Sequence, residues 1–326
     1  MSDKRNRILY LSKIFYQLTD ENNCLSMEQL IDELNKYGCT ASRKAIYEDI
    51  SALKQFGFDI RYERSKLKSG YHLVSRKFEL PEIKLLIDAV NSSQFLSEKK
   101  TRTLTDKLYS LCSITEKNEM KHQIGLINIA KTFNEKIYLN IDMIQSALNS
   151  HKKIEFDLFD HDIHREKSYR NGKRICTPYY LVWNDGRYYV VAYYEKYPDQ
   201  LTNFRIDRMD NIRLLDDTGE PINNKFDINK YISETFSMFS GKTESVILEF
   251  ENSNSMLNIV FDRFGKHIIV IPQDESSFRV KLDIKPEKTF WGWLFGLGDK
   301  VKIISPEHLI EKYTEQLSYI SEKYKK

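Results

Sequence analysis

The spacing of apolar residues changes period along this chain, and that change limits what it can fold into. Up to Leu111 they recur at three- and four-residue intervals, as in helices that bury one face. From Ile154 they alternate, with Ile154, Phe156 and Leu158 on one side of a strand and charged residues on the other. At 326 residues the chain exceeds the size at which one core usually keeps growing, so separate helical and β-rich modules are expected.

The front of the chain has clear punctuation. Ile8, Leu11, Ile14, Phe15 and Leu18 form the stripe of a first helix. Ser26 and Gln29 make a capping box for a second, which buries Leu30, Ile31 and Leu34 and stops at Gly38. Ser42 caps a third, with Ile46, Ile50 and Leu53 inward and Gly57 as its stop. Asp59 to Tyr62 and Tyr71 to Val74 then alternate as two strands.

The outer face of the third helix carries Ser42, Arg43, Lys44, Tyr47, Ser51 and Lys54, and the loop between the strands carries Arg64, Lys66 and Lys68. Arginine and lysine address guanine edges and phosphates, while tyrosine and serine reach the backbone, so this face suits a major groove with a basic wing beside it. From Ala41 to Lys77 nine Lys or Arg (43, 44, 54, 61, 64, 66, 68, 76, 77) face four Asp or Glu (48, 49, 59, 63). The whole-chain charge of +3 hides that excess. The plainer reading is a solvated helical face serving protein contacts.

Pro81 opens a further helix with Leu85, Leu86, Ala89 and Val90 on one face, and Leu104, Leu108 and Leu111 mark another. These helices either form the contact of a homodimer, as palindromic DNA requires, or pack in cis as a strut. Residues 112 to 125 lack an apolar stripe and are expected to form a loop.

In the β-rich part, Pro178 to Trp183 leads through Asn184-Asp185-Gly186 into Arg187 to Tyr194, a tight hairpin, and Leu201 to Ile206 follows. Short strands around such hairpins predict a small barrel or strongly bent sheet. Arg187, Arg205 and Arg208 offer guanidinium forks for phosphate, and Tyr179 and Tyr188 offer flat faces for unstacked bases. The competing reading has the tyrosines in the core and the arginines paired with Asp207 or Asp210. Asp160-His161-Asp162-Ile163-His164 has metal-ligand residue types, but no helix presents His161 and His164 together, so a hairpin loop is expected and neither metal nor cofactor.

After a polar break at 219 to 224, strand and helix patterns run in βαββαβ order to a final helix opened by Pro306, the order of a ferredoxin-like unit. Trp291 and Trp293 suit packing or a dimer contact.

Two stretches carry a family resemblance. Ser42 to Leu53, with Phe56-Gly57-Phe58-Asp59-Ile60 and Gly70-Tyr71-His72-Leu73, resembles the DeoR-type winged helix at the front of WYL-domain regulators. Tyr188-Tyr189-Val190 aligns with the tripeptide that names the WYL domain, and Phe204-Arg205-Ile206-Asp207-Arg208-Met209 resembles its trailing signature. Gly296 to Val301, leading to Ser305-Pro306-Glu307, resembles the C-terminal extension attached to such domains. The resemblance implies an α+β multidomain protein: a winged helix-turn-helix (1–77), a helical connector (78–138), an Sm/SH3-like WYL barrel (139–217), a linker (218–244) and a ferredoxin-like extension (245–326). It also implies a transcriptional regulator that binds a double-stranded DNA operator and senses single-stranded DNA or a nucleotide.

Four scattered cysteines without a C-x-x-C pair argue against a disulfide framework or structural zinc. No apolar run approaches the ~18 residues of a membrane span, and the charged start, Met1 to Arg7, is unlike a secretory signal, so a cytoplasmic protein is expected. No Walker loop, zincin motif, nucleophile elbow or kinase set occurs, and no enzyme is expected. The alternatives are a nucleic-acid-binding adaptor, or a nucleic-acid-processing protein using the Asp/His loop.

Overall fold

A computed structural model describes residues 2–65, 68–123, 130–222 and 226–325. Lys66 therefore lies outside the described residues. The chain divides into two compact units, Met1–Glu135 and Lys136–Lys326. Among the described residues no helix is long and apolar enough to cross a membrane.

The first unit begins with α1 (Ser2–Leu18), α2 (Met27–Lys36) and α3 (Arg43–Gln55), followed by β1 (Ile60–Arg64) and β2 (Ser69–Leu73). The capping box of α2 is present: Gln29 N donates to Ser26 Oγ at 3.2 Å, and Ser26 N donates to Gln29 Oε1 at 2.8 Å. Ser42 Oγ caps α3 by accepting from Ala45 N at 3.3 Å. Gly38 (φ 72°) and Gly57 (φ 108°) follow the ends of α2 and α3 in the left-handed region that glycine enters freely. Leu11, Phe15, Leu34, Ile46, Ile50 and Leu53 close one core with Ile60 and Leu73. β1 and β2 pair antiparallel from Ile60 opposite Leu73 to Arg64 opposite Ser69. Leu25, just ahead of α2, adds a bridge to Tyr71, with N to O distances of 2.9 and 2.8 Å.

Three further helices complete this unit: α4 (Leu80–Ser92), α5 (Glu98–Tyr109) and α6 (Ile114–Gln123). Ile83 and Ile87 are the buried positions of α4, and Leu85 and Leu86 point outward, 69% and 37% exposed. Residues 112 to 125 are not simply a loop, because α6 occupies most of them. Ser113 and Glu116 cap α6 reciprocally, Glu116 N to Ser113 Oγ at 3.1 Å and Ser113 N to Glu116 Oε2 at 2.8 Å. Met120 is its buried anchor, beside Cys112 and Tyr109.

The second unit opens with α7 (Ile137–Ser150). Next come β3 (Lys152–His161), β4 (Lys167–Tyr169), β5 (Arg174–Asn184), β6 (Arg187–Tyr193), β7 (Leu201–Arg205) and β8 (Met209–Thr218). The strands run β4-β3-β5-β6-β7, and β8 pairs with β3. One 3-10 turn, Ile206–Arg208, joins β7 to β8, so the sheet curls back on itself. Phe156, Val190, Ala192, Phe204, Ile206 and Met209 are buried inside. The turn between β5 and β6 has Asp185 at φ 48° and Gly186 at φ 72°, the left-handed pair a two-residue hairpin turn requires. Asp160 and His161 end β3, and Asp162 holds the following turn by accepting from His164 N and Glu166 N, each at 2.9 Å.

The segment read as a linker is packed: α8 (Ile228–Ser233) buries Tyr231, and Phe236 and Met238 behind it are also buried. The remaining elements are β9 (Glu244–Glu251), α9 (Asn254–Phe264), β10 (Val270–Pro272), β11 (Ser277–Ile284), α10 (Lys288–Gly296), β12 (Val301–Ser305) and α11 (Glu307–Glu322). Their strands pair antiparallel in the order β10-β11-β9-β12. Trp291 is buried in this module's core and Trp293 packs against it.

Candidate functional site

Two surfaces, one in each unit, carry the residues singled out from sequence. On the first unit, Arg43, Lys44, Tyr47, Ser51, Lys54 and Arg64 are exposed, and Lys68 is partly buried. Arg43 is held by Glu28 on α2, Nη2 to Oε1 at 2.8 Å. Ser42 spends its hydroxyl on the helix cap. Tyr47 and Tyr62, both 52% exposed, lie against Tyr71 with ring centroids 6.4 and 4.8 Å from it, so an aromatic strip joins α3 to the β1–β2 pair. Tyr62 was not singled out, although its place in β1 opposite Tyr71 puts both rings on one face.

On the second unit, a cleft of about 720 Å³ opens beside β6 and β7. Arg170, Arg174, Arg187, Lys196, Arg205 and Arg208 line it, against the carboxylates of Asp160 and Asp185. Asp207, 3% exposed, sits behind this cluster. Arg205 donates to it twice, Nε to Oδ1 at 3.1 Å and Nη2 to Oδ2 at 2.8 Å, and Arg187 Nη1 reaches the same Oδ2 at 3.3 Å. Burial works against the charge of Arg205, but the hydrogen bonds and the negative charge of Asp207, with smaller help from Tyr189 and Asp160, together hold its pKa above the ordinary arginine value. Asp210 serves other donors: the ammonium groups of Lys136 at 2.9 Å and Lys167 at 2.6 Å, and the Tyr169 hydroxyl at 2.9 Å.

Arg208 is left over. Its Nη1 is buried and has no hydrogen-bond partner among the described residues. Burial, and next the charge of Arg205, push its pKa below the ordinary arginine value. A buried unsatisfied donor costs about 1–3 kcal/mol, more when charged, and such a group fits a site completed by an anion. Arg170 is turned to Asp160, Nε to Oδ2 at 2.7 Å, and that hydrogen bond holds Asp160 below the usual carboxylate range. Arg174 Nη1 donates to Asn171 O at 2.8 Å.

The cleft also has aromatic surface. Tyr189, Tyr194 and Tyr197 line it with Phe204, and Tyr194 stands edge-on to Tyr197 and Phe204 with centroids 5.9 and 5.6 Å away. Tyr188 and Tyr179 do not line it. Successive strand residues face opposite ways, so Arg187 and Tyr189 share one face of β6 and Tyr188 takes the other, edge-on to Trp183 at 4.8 Å. Tyr189 also lies opposite Arg205 across the β6–β7 ladder, which makes the two face-mates. Tyr179, beside a register shift in β5, lines a different cavity. The far wall, Ser237 to Ser240, comes from the segment behind α8, and no local pattern in the sequence marks it.

Fold and site together define an α+β protein with an N-terminal helical region and, further on, a curled sheet bearing a cationic, aromatic cleft. The WYL domain family model matches residues 140–214 and the WCX domain family model matches residues 243–320. No curated protein matches the chain in sequence. Among solved structures it is similar to proteasome accessory factor B/C (PafBC) of Arthrobacter aurescens, with 15% identity and a TM-score of 0.31 over 98% of this chain and 49% of that one. It is also similar to a CRISPR Cas-related protein, with 13% identity and a TM-score of 0.36 over 99% of this chain and 84% of that one. The chain thus spans about half the length of the first of these.

Proposed function

We propose that this chain is a cytoplasmic, homodimeric transcriptional regulator whose WYL domain senses a single-stranded nucleic acid or nucleotide and thereby alters operator binding. In this reading residues 1–77 are a DeoR-type winged helix-turn-helix, with α3 in the major groove and the β1–β2 pair as the wing. Residues 78–138 connect it to an Sm-like WYL barrel (139–217), and a ferredoxin-like extension (245–326) follows the 218–244 segment. The outward-facing Leu85 and Leu86 of α4 offer an apolar contact for a second copy. No catalytic step is assigned: Asp160 and Asp207 are engaged by arginines, and Asp185 accepts from the Ser237 hydroxyl at 3.0 Å.

The observation that carries the reading is the buried Nη1 of Arg208, without a hydrogen-bond partner among the described residues, within a cleft rich in arginine and tyrosine. Guanidinium forks match phosphate, and tyrosine faces accept unstacked bases. Regulation requires each ligand to change the affinity for the other. Fluorescence anisotropy of a selected duplex, titrated with protein in the presence and absence of a short single strand, tests this. A changed dissociation constant is expected; an unchanged one refutes the coupling.

A further inference from the structure

A second cavity in the same unit, about 730 Å³, has a different chemistry from the arginine cleft. Its walls include Tyr179, Tyr193, Leu201, Ile222, Phe226 and Tyr231, and among the described residues no arginine lines it. Lys285, just beyond β11, lines it while only 4% exposed. Its Nζ lies 3.5 Å from the ring centroid of Tyr231, and among the described residues no hydrogen bond or ion pair engages it. We propose that this cavity is a small-molecule site for an aromatic carboxylate, with Lys285 Nζ taking the carboxylate and the tyrosine walls taking the ring.

A lysine this buried ordinarily has a carboxylate partner, because removing a bare ammonium from water is costly. Here burial pulls its pKa down to about 8, with the charge of Glu234 opposing, so at neutral pH most of it still carries its proton. Glu234 lines the cavity but is engaged elsewhere, accepting from the Thr243 hydroxyl at 2.9 Å. Among the described residues the lining charges are Lys242 and Lys285 against Asp199 and Glu234, so the cavity has no cationic excess of the kind a phosphate dianion needs, and any attraction for a carboxylate is local to Lys285. The volume falls in the range of sites for drug-sized ligands, and flat apolar walls with one convergent charge suit an aromatic acid.

The site adjoins the arginine cleft without sharing its ligand chemistry. Leu201 of β7 lines this cavity while Thr202 and Asn203 line the cleft, and Gly241 to Thr243 line this cavity while Ser237 to Ser240 line the cleft.

The test uses the full chain and the probe 2-naphthoate, with neutral 2-naphthamide as control, by isothermal titration calorimetry. Saturable naphthoate binding is expected, with naphthamide about tenfold weaker or worse. Lys285→Met should weaken naphthoate about tenfold, and Thr243→Trp at the exposed rim should abolish binding, while both variants bind a labelled single-stranded oligonucleotide as the parent does. No saturable naphthoate binding to the folded parent, equal binding of the amide, or naphthoate binding unchanged in both variants overturns the proposal. If Lys285→Met fails to fold, Thr243→Trp decides alone.

Discussion

Arg205 grips Asp207 with two hydrogen bonds, at 3.1 and 2.8 Å, from only two residues away. Because Arg187 draws on the same carboxylate, Asp207 is the buried counter-charge that allows several guanidiniums to face one cleft. Replacing it by Asn leaves those cations to repel one another. The expected cost is about 2–3 kcal/mol of stability, read by urea unfolding.

Asp210 ties α7 and β4 to the start of β8 through Lys136, Lys167 and Tyr169. Burial opposes its charge, but those hydrogen bonds prevail and hold its pKa well below the usual carboxylate value. A depressed folded-state pKa contributes stability above the unfolded value of about 4, and that contribution is lost as pH falls below it. Asp210→Asn should therefore melt at lower temperature than the parent at pH 7, and the gap should close as the pH is taken from about 4 toward 2.

In the first unit, a Cβ at Gly70 would lie 2.5 Å from the backbone C and O of Leu25. Neither atom can step aside without breaking the bridge between Leu25 and Tyr71. Gly70→Ala should cost about 1–3 kcal/mol, seen as a lower melting temperature, and should weaken duplex binding by displacing the wing.

Lys44 and Lys54 are exposed on α3. If each neutralises one phosphate, replacing either with Ala should weaken duplex binding for all sequences alike and reduce the salt dependence by about one counterion. An unchanged slope of log affinity against log salt in both variants contradicts that placement.

Asn203 connects the two walls of the cleft, donating from Nδ2 to Met238 O at 2.9 Å and accepting from the Tyr231 hydroxyl at 3.1 Å. Asn203→Ala should cost about 1–2 kcal/mol and lower affinity for a single-stranded oligonucleotide, because Ser237 to Ser240 lose their anchor. Anisotropy and thermal unfolding of the same variant separate the two effects.

Local signals were the legible ones. The caps at Ser26 and Ser42, the glycines at 38 and 57, and the Asn184-Asp185-Gly186 turn act within four residues, and each stands where the sequence places it. Arg187, Arg205 and Arg208 do converge on one cleft. Tyr188 lies on the opposite face of β6 from Arg187, and Tyr189 lines the cleft in its place, because side chains alternate along a strand. The buried side of α4 could not be read locally, because Leu85 and Leu86 match a helical stripe as well as Ile83 and Ile87, and only the neighbouring helices decide between them. The roles of Ser237 to Ser240 and of Lys285 depend on contacts with distant strands, which no window of sequence contains.

In the proposed function, the cleft around Arg208 takes phosphate-bearing single strands. The most direct measurement is anisotropy of a labelled single-stranded oligonucleotide titrated with the parent and with Arg208→Met, alongside thermal unfolding of both. At least about a tenfold loss of affinity is expected, with stability unchanged or raised, since a partly desolvated charge with an unpartnered Nη1 is removed. Equal affinity of the folded variant and the parent would contradict it.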